Sequence, residues 1–536
     1  MAADITPIRG GRQPPESPPT GESRPTIYIN GGELPEMCDL AEQALVDGGY
    51  DIFRQGGRLV TIATDGPDTR IHRDIGAPRV VQVTPVMLRD VATRAIIWLR
   101  FDARDKDWRV VDCPMSVAAT ICERVSTRFR ELVAYTECPT LRPDGSPVLA
   151  PGYDDQTGLY LLQAGAAALK CSPVDPTPED ARWDLETLRS AVDSFPYLTP
   201  DDHDAMVAGM MTAVHARAVA AAPMIAITAT TPGTGKSYAA DCMAVTATGR
   251  PGAVLSLGPD AAEADKRLAS AMLGGDSLIH LDNVERPLGG DMLCQVITQP
   301  AISTRPLGAS NMVRLPCRSV LIATGNNLVI KGDLTRRVLL IRLDAKTERP
   351  ETIFHPRDTL GDIRSHRSRL IRAVLQIGIA YRLAGSPMPT HPGYAPLAGF
   401  GAWEQLVRRP LLWLGARDPL APSEALREDD PDRSAMRALF GAIRATYGSE
   451  AVTAAQIAED ATRASPRYDG GGRDHDNPDL HDAIEQIAGG KPNARALGYA
   501  LRRYRGRMVD GYVLEAAGPT GRAKVQGWRV RSVTGD

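Results

Sequence analysis

The chain has no C-x-x-C pair and no Cys–His ligand pattern. Its eight cysteines lie scattered through 536 residues, which excludes a zinc module and a disulfide framework and fits a reducing cytoplasm. There is no apolar run of membrane-spanning length. The best stretch, Ala213 to Thr230, is interrupted by His215 and Arg217, so no membrane partner is expected. The first residues, MAADITPIRGGRQPPESPPTGESRP, lack the apolar segment that a signal peptide needs. An excess of positive charge is also missing. A net charge of -3 rules out a uniformly basic nucleic-acid coat, so any DNA contact must be regional.

What remains is an ordinary globular composition, 43% apolar and 24% charged, in a length that suggests about three domains. Residues 1–25, dense in Pro, Gly and Ser, are expected to form a disordered tail. Residues 26–175 mix strand-like runs (RLVTIAT, RVVQVT, AIIWLRF) with helical stretches, which predicts an α+β module. A helical connector is expected over 176–221, opened by TPED. Over 222–385 five apolar runs (MIAITAT, AVLSLG, SLIHLD, SVLIAT, VLLIRL) alternate with helical patterns. That alternation predicts a parallel sheet covered on both faces, with one long lid helix from Leu360 to Ala384. Residues 386–429 read as a linker with a helical extension, and 430–536 as a region of helices ending in two strands. The overall fold class expected is multidomain α/β.

Chemistry concentrates in four segments. The first is Thr230-Thr231-Pro232-Gly233-Thr234-Gly235-Lys236-Ser237-Tyr238, set between an apolar strand and a helix. In this context glycines let backbone N–H groups turn onto a phosphate, while Lys236 adds a point charge and Ser237 a hydroxyl for Mg²⁺. The pattern asks for Gly where Thr230 stands, which predicts reduced freedom at the start of the loop. About 45 residues on, SLIHLDNVER ends a buried strand in Asp282, placed to hold Mg²⁺ with Ser237. The position after it, where a related ATPase often carries the catalytic glutamate, is Asn283. Glu285 is the nearest carboxylate that can substitute, or is a solvated surface group.

In the third segment, SVLIATGNN, Asn326 is the residue expected to orient the attacking water, with Asn327 second and a structural Asn turn as the alternative. In the fourth, GDLTRRVLLIRLD, Arg336 and Arg337 stand at the mouth of the last strand. They are either an arginine finger for a neighbouring subunit's nucleotide or a solvated pair.

Together TTPGTGKS, LIHLDNVER, ATGNN and GDLTRRVLLIRLD resemble the ATPase core of the primase-associated helicases of phages and mobile elements. These are superfamily 3-like AAA+ proteins with a P-loop ATPase core of the poxvirus primase-helicase type. TLRPDGSPVLAPGYDDQTGLY and FGAWEQLVRRPLLWLGARDP are similar to their flanking blocks, so the likeness spans most of residues 130–420. The resemblance implies ATP and Mg²⁺ as cofactors, a homohexameric ring gripping single-stranded DNA in its channel, and a primase as a possible separate partner. It also implies a hairpin between the Asp282 and Asn326 strands that carries basic residues to DNA. Arg305 is the residue chosen there, with Arg314 and Arg318 nearby and plain surface charge as the alternative.

Residues 26–170 show no partnered metal-binding carboxylate set, so no nucleotide polymerisation is expected. Near the C-terminus a helix with Arg495, Arg502, Arg503, Arg505 and Arg507 precedes two strands joined by the basic turn GPTGRAKVQG. This is the order of a winged-helix DNA-binding domain, the alternative being a solvated helix beside a stabilising hairpin. Three functions are compatible with these motifs. They are an ATP-driven DNA helicase or translocase in phage or mobile-element replication, an ATP-dependent loader or remodelling factor, and a nucleotide-sensing DNA-binding regulator without turnover.

Overall fold

The computed structural model describes residues 24–64, 77–125, 127–162, 175–258, 261–304, 312–352, 357–428, 431–466, 473–488, 493–520 and 525–533. The tail expected over 1–25 falls almost wholly outside them. The described residues form two compact units. One comprises 24–286, 290–328 and 337–422; the other is 423–533 with the short stretches 287–289 and 329–336.

The first unit begins with an α+β layer. Strands β1 (Thr26–Tyr28), β5 (Ile97–Asp102) and β6 (Asp107–Val111) form one sheet, and β2 (Phe53–Gln55), β3 (Arg58–Ala63) and β4 (Arg79–Gln82) form a second. Helices α1 (Leu34–Asp47), α2 (Pro85–Ala95) and α3 (Met115–Glu123) bury Leu45, Leu88 and Ile121 against Trp98 in one core. Short strands β7 (Ala134–Thr136), β8 (Thr140–Leu141), β9 (Pro147–Val148), β10 (Gly152–Asp154) and β11 (Leu159–Leu161) follow.

Two helices lead into the central sheet. In α4 (Pro178–Ala191) the Thr177 and Asp180 side chains exchange capping hydrogen bonds with each other's backbone, and Pro178 occupies the first turn, where no N–H is needed. In α5 (Pro200–Val214), Asp202 does the same for Thr199. Asp202 is fully buried and accepts from Arg342 Nε and Nη2 at 3.0 and 3.1 Å, a bidentate pair that fastens the start of α5 to the last strand of the sheet.

That sheet is parallel and five-stranded. Its order is β13 (Ala253–Leu255), β14 (Leu278–Leu281), β17 (Val320–Asn326), β12 (Met224–Ala229) and β18 (Val338–Leu343). Burial is nearly continuous along β12, β14, β17 and β18, as a sheet covered on both faces requires. All five coincide with the apolar runs of the sequence. Helix α6 (Lys236–Thr248) packs on β12 and β17, and α7 (Ala261–Leu273) lies beside β13. Between β14 and β17 come α8 (Asp291–Thr298) and an antiparallel pair, β15 (Ala301–Thr304) with β16 (Val313–Pro316).

The single lid helix expected from Leu360 to Ala384 is two helices, α9 (Thr359–Ser365) and α10 (Arg367–Leu383). The chain leaves helical geometry at His366 (φ -106°, ψ 16°), so the apolar period continues while the axis does not. α10 packs along α4 and α9 along α6.

Buried and half-buried arginines tie the α+β layer to the sheet. Arg217 donates to the carbonyls of Arg318 (2.7 Å) and Gly275 and lies over the Tyr135 ring. Arg250 pairs with Glu137, and Arg367 donates to the Glu137 and Ala247 carbonyls at 3.0 and 2.7 Å. The guanidinium ends donate to fixed acceptors, which lowers the cost of burying them, although Arg217 Nε is buried without a partner.

The second unit is α11 (Pro431–Tyr447), β19 (Val452–Thr453), α12 (Ala454–Thr462), the hairpin β20 (Ala464–Pro466) and β21 (Arg473–His475), α13 (Pro478–Ala488), α14 (Ala494–Tyr504), β22 (Met508–Val509), β23 (Tyr512–Thr520) and β24 (Val525–Ser532). Its sheet runs β19-β24-β23-β22, with Leu439, Phe440, Ile457, Ile484, Leu497, Leu501 and Trp528 in one core.

Candidate functional site

The central sheet changes direction at β12. The chain leaves β12 for the far edge, returns through β14 to β17 beside it, and then places β18 on its other side. In open α/β sheets the crevice at the carboxyl ends of the strands around such a switch is where ligands bind. Three of the motifs end there. The glycine loop follows β12, Asp282 follows β14, and Asn326 closes β17.

The loop takes its left-handed turns at Gly233 (φ 77°) and Gly235 (φ 87°), where a Cβ is disfavoured. Thr230 has no positive φ, so the missing first glycine costs the loop no backbone strain; the reduced freedom expected there is harmless. Gly235 is the N-cap of α6, which leaves the first-turn amides of that helix facing the crevice. Lys236 Nζ donates to Thr231 O and Thr234 Oγ1, both at 3.2 Å. Burial lowers its pKa, and the nearby Asp282 carboxylate pulls in the opposite direction.

Asp282 is the point of convergence. Ser237 Oγ and Thr324 Oγ1 each donate to the same carboxylate oxygen, Oδ1, at 2.8 Å. Since Thr324 gives its proton to Asp282, His280 Nε2, 2.9 Å from Thr324 Oγ1, must be the donor in that pair. Burial alone would raise the Asp282 carboxyl; the bonds from Thr324 and Ser237 and the adjacent His280 outweigh it and hold the pKa low. His280 itself is buried, which lowers its pKa. Neither Thr324 nor His280 was picked out by the motif reading. Their only sequence signal is a polar residue interrupting an otherwise apolar strand.

The segment after Asp282 hugs β17. Val284 N donates to Thr324 O at 2.8 Å, and a Cβ on Gly325 would meet the Val284 carbonyl at 2.5 Å, so Gly325 is what permits this approach. Asn283 adopts φ 48° and donates from Nδ2 to Glu285 Oε1 at 3.2 Å, so the residue in the glutamate position holds the carboxylate expected to substitute for it. Asn326 is exposed and pairs in register with Ala229, the residue before the loop. Asn327 turns the chain at φ 46° with its N–H on Ala229 O.

Fit to a nucleotide and a divalent cation can be judged from the donors present. Left-handed glycines, helix-start amides and an ammonium held on neutral oxygens suit phosphate. A hydroxyl and a low-pKa carboxylate 2.8 Å apart suit a hard cation with oxygen ligands. The residues fit both.

No protein-family model matches the chain, and no curated protein matches it. Among solved structures it is similar to the apo C-terminal region of NrS-1, at 12% identity over 92% of this chain and 99% of that one, with a TM-score of 0.40. It is similar also to Cch of SCCmec type IV, described as an active helicase (11% identity, 89% and 93% covered, TM-score 0.30). A third is NtrX from Brucella abortus in complex with ATP (14%, 60% and 72%, TM-score 0.21). At these scores the functional argument stays with the chain's own geometry.

The remaining sequence candidates are dispersed. Arg337 donates to the Cys294 carbonyl (2.9 Å) and Thr298 Oγ1 (3.2 Å) at the end of α8. Arg336 is exposed and pairs with Asp333. The hairpin expected between the Asp282 and Asn326 strands is present as β15–β16, but Arg305 lies outside the described residues. Arg314 pairs with Ser303 inside that hairpin, while Arg318 is partly buried, which lowers its pKa. In the second unit, α14 buries Leu497, Ala500, Leu501 and Tyr504 and exposes Arg495, Tyr499, Arg502 and Arg503. Arg502 lies over the Tyr499 ring, and Arg503 and Arg507 flank Tyr504; Arg505 is exposed. Arg522 and Lys524 of the basic turn lie outside the described residues.

Proposed function

We propose that the chain is an Mg-ATP hydrolase that drives movement on DNA, a helicase or translocase of the kind used in phage or mobile-element replication. The observation that carries this reading is the double donation of Ser237 and Thr324 to one oxygen of Asp282, directly beneath a loop whose left-handed glycines precede Lys236. The loop amides and Lys236 would hold the triphosphate, and Ser237 and Asp282 the cation. When bound there, Mg²⁺ would supply positive charge toward the phosphate oxygens. Asn326, in register with the residue before the loop, would orient the attacking water. Glu285, held by Asn283, is the carboxylate nearest in sequence to accept its proton.

Arg336, whose side chain is exposed while Arg337 donates into α8, is the arginine proposed to act in trans. This supports a ring, proposed as a homohexamer. DNA contact is assigned to Arg502, Arg503, Arg505 and Arg507 of the second unit. Its order of helix, strand, helices and terminal hairpin, with β19 paired to β24, fits the winged-helix reading. Arg305 remains the channel candidate.

A forked-duplex unwinding assay tests the reading. ATP-dependent strand separation by the full chain, absent in Lys236→Ala, is expected. Turnover without separation would instead favour the loader or switch, the reading to which Asn283 in the glutamate position points. Removing residues 430–536 should weaken duplex binding and flatten its dependence on salt, because with fewer phosphate contacts fewer counterions are released on binding. An unchanged slope would remove the second unit from the DNA interface.

A further inference from the structure

A cavity of about 430 Å³ opens against the glycine loop. Its floor is Gly233, Thr234 and Gly235, and its walls are Phe195 and Tyr238. The volume lies within the roughly 300–1,000 Å³ usual for small-molecule sites. A larger one, about 460 Å³, runs beside Trp183 but does not reach the loop.

The walls are built for a flat, partly apolar group. Phe195 lies beside the loop, where a Cβ at Gly235 would be in ordinary van der Waals contact with its ring at 3.6 Å. Tyr238 stands 6.0 Å from Phe195, centroid to centroid, at 45°, with 37% of its surface exposed. Such rings stack on any nucleobase, because every base offers a π-face.

The roof is Arg357 to Thr359, and it is fixed in place. Tyr238 Oη accepts from Leu360 N at 2.8 Å and donates to Asp358 Oδ1 at 3.2 Å. Arg357 donates from Nη1 to Ser190 O (2.9 Å) and Asp193 (2.7 Å) and from Nε to Asp362 (2.8 Å), which fixes it as part of the roof. Thr359 Oγ1 and Ser194 Oγ lie 2.8 Å apart at the rim and form a polar edge.

We infer that this cavity holds the nucleobase and ribose of the nucleotide whose triphosphate lies on the glycine loop, with Phe195 and Tyr238 as its stacking walls. The inference rests on the phosphate-loop reading above. It adds that Tyr238, one residue after Ser237, joins the nucleotide to the start of α9 through Asp358 and Leu360.

Calorimetric titration of the full chain with Mg-ATP and with Mg-tripolyphosphate tests it and separates the two claims. The wild type should bind ATP more tightly than tripolyphosphate. Phe195→Ala and Tyr238→Ala should each weaken ATP about tenfold, the loss expected for one stacked aromatic, while tripolyphosphate affinity stays within about twofold. Retained tripolyphosphate binding also reports that a variant is folded. Should Phe195→Ala lose both ligands through misfolding, the more exposed Tyr238→Ala decides. Equal wild-type affinity for the two ligands, or ATP affinity unmoved in Tyr238→Ala, overturns the nucleobase site and leaves the phosphate loop standing. Failure of the wild type to bind either ligand overturns the phosphate loop itself.

Discussion

At the scale of single residues, Asp282 is held by neighbours that the motif does not contain. A carboxylate that is to grip a cation must be kept ionised and aimed, and Thr324 and Ser237 do both by donating to one of its oxygens. His280, buried on the same strand, donates to Thr324 and so fixes the direction of that hydroxyl. Thr324→Val keeps the shape and removes the donor. Supporting hydrogen bonds of this kind are commonly worth 10- to 100-fold in metal affinity, so the Mg²⁺ concentration giving half-maximal turnover is expected to rise by about tenfold or more. A magnesium titration at saturating ATP checks it, and an unchanged midpoint would leave Thr324 with a packing role only. Thr324 is separated from Asp282 by 42 residues, which is why no local pattern announces it.

Elements behave differently from residues in how far they were legible. The five sheet strands and α6 follow from local period, because a buried parallel strand needs a continuous apolar run and a phosphate loop needs glycine at fixed offsets. The break between α9 and α10 does not follow, since an apolar face persists across His366 and only packing decides whether one axis or two carry it. Helix α4 illustrates a further consequence of packing. Asp184 is buried where α4 meets α10; burial raises its pKa to about 6, with Arg372 and Arg369 on α10 opposing and Asp180 on its own helix reinforcing.

The native value stands above the ordinary one near 4, so the folded state holds this proton more tightly than the unfolded chain. The site's contribution to stability therefore falls as pH rises from about 4 to about 6. Asp184→Asn should melt above wild type at pH 7, and the two should converge near pH 4. Thermal melts of both proteins at the two pH values measure this. A gap that widens on acidification would reverse the assignment.

For the whole molecule, a net charge of -3 requires any positive face to be local, and the exposed side of α14 is one such face. Exposed Arg495, Arg502, Arg503, Arg505 and Arg507 sit on and after α14, whose other face is core. Assembly makes a separate prediction. If Arg336 completes a neighbour's site, Arg336→Ala chains retain intact loops and Lys236→Ala chains retain intact fingers. Each alone should be inactive, and mixing them should restore part of the turnover, because some interfaces then combine a wild-type loop with a wild-type finger. Absence of any recovery on mixing, with both variants shown to assemble, would place Arg336 outside the reaction.

The amino-acid order by itself determined the local parts: strand, glycine turn, helix start, and the polar residue at each strand end. These depend on backbone conformation and on neighbours a few positions away. Only the tertiary structure decided which parts meet. The parallel order that sets β17 between β14 and β12 brings Thr324 to Asp282 and Asn326 to the loop, and α4 and α9 bring Phe195 and Arg357 to Tyr238. Those encounters join residues tens to more than a hundred positions apart. They are set by the burial of whole faces, which no short window of sequence contains.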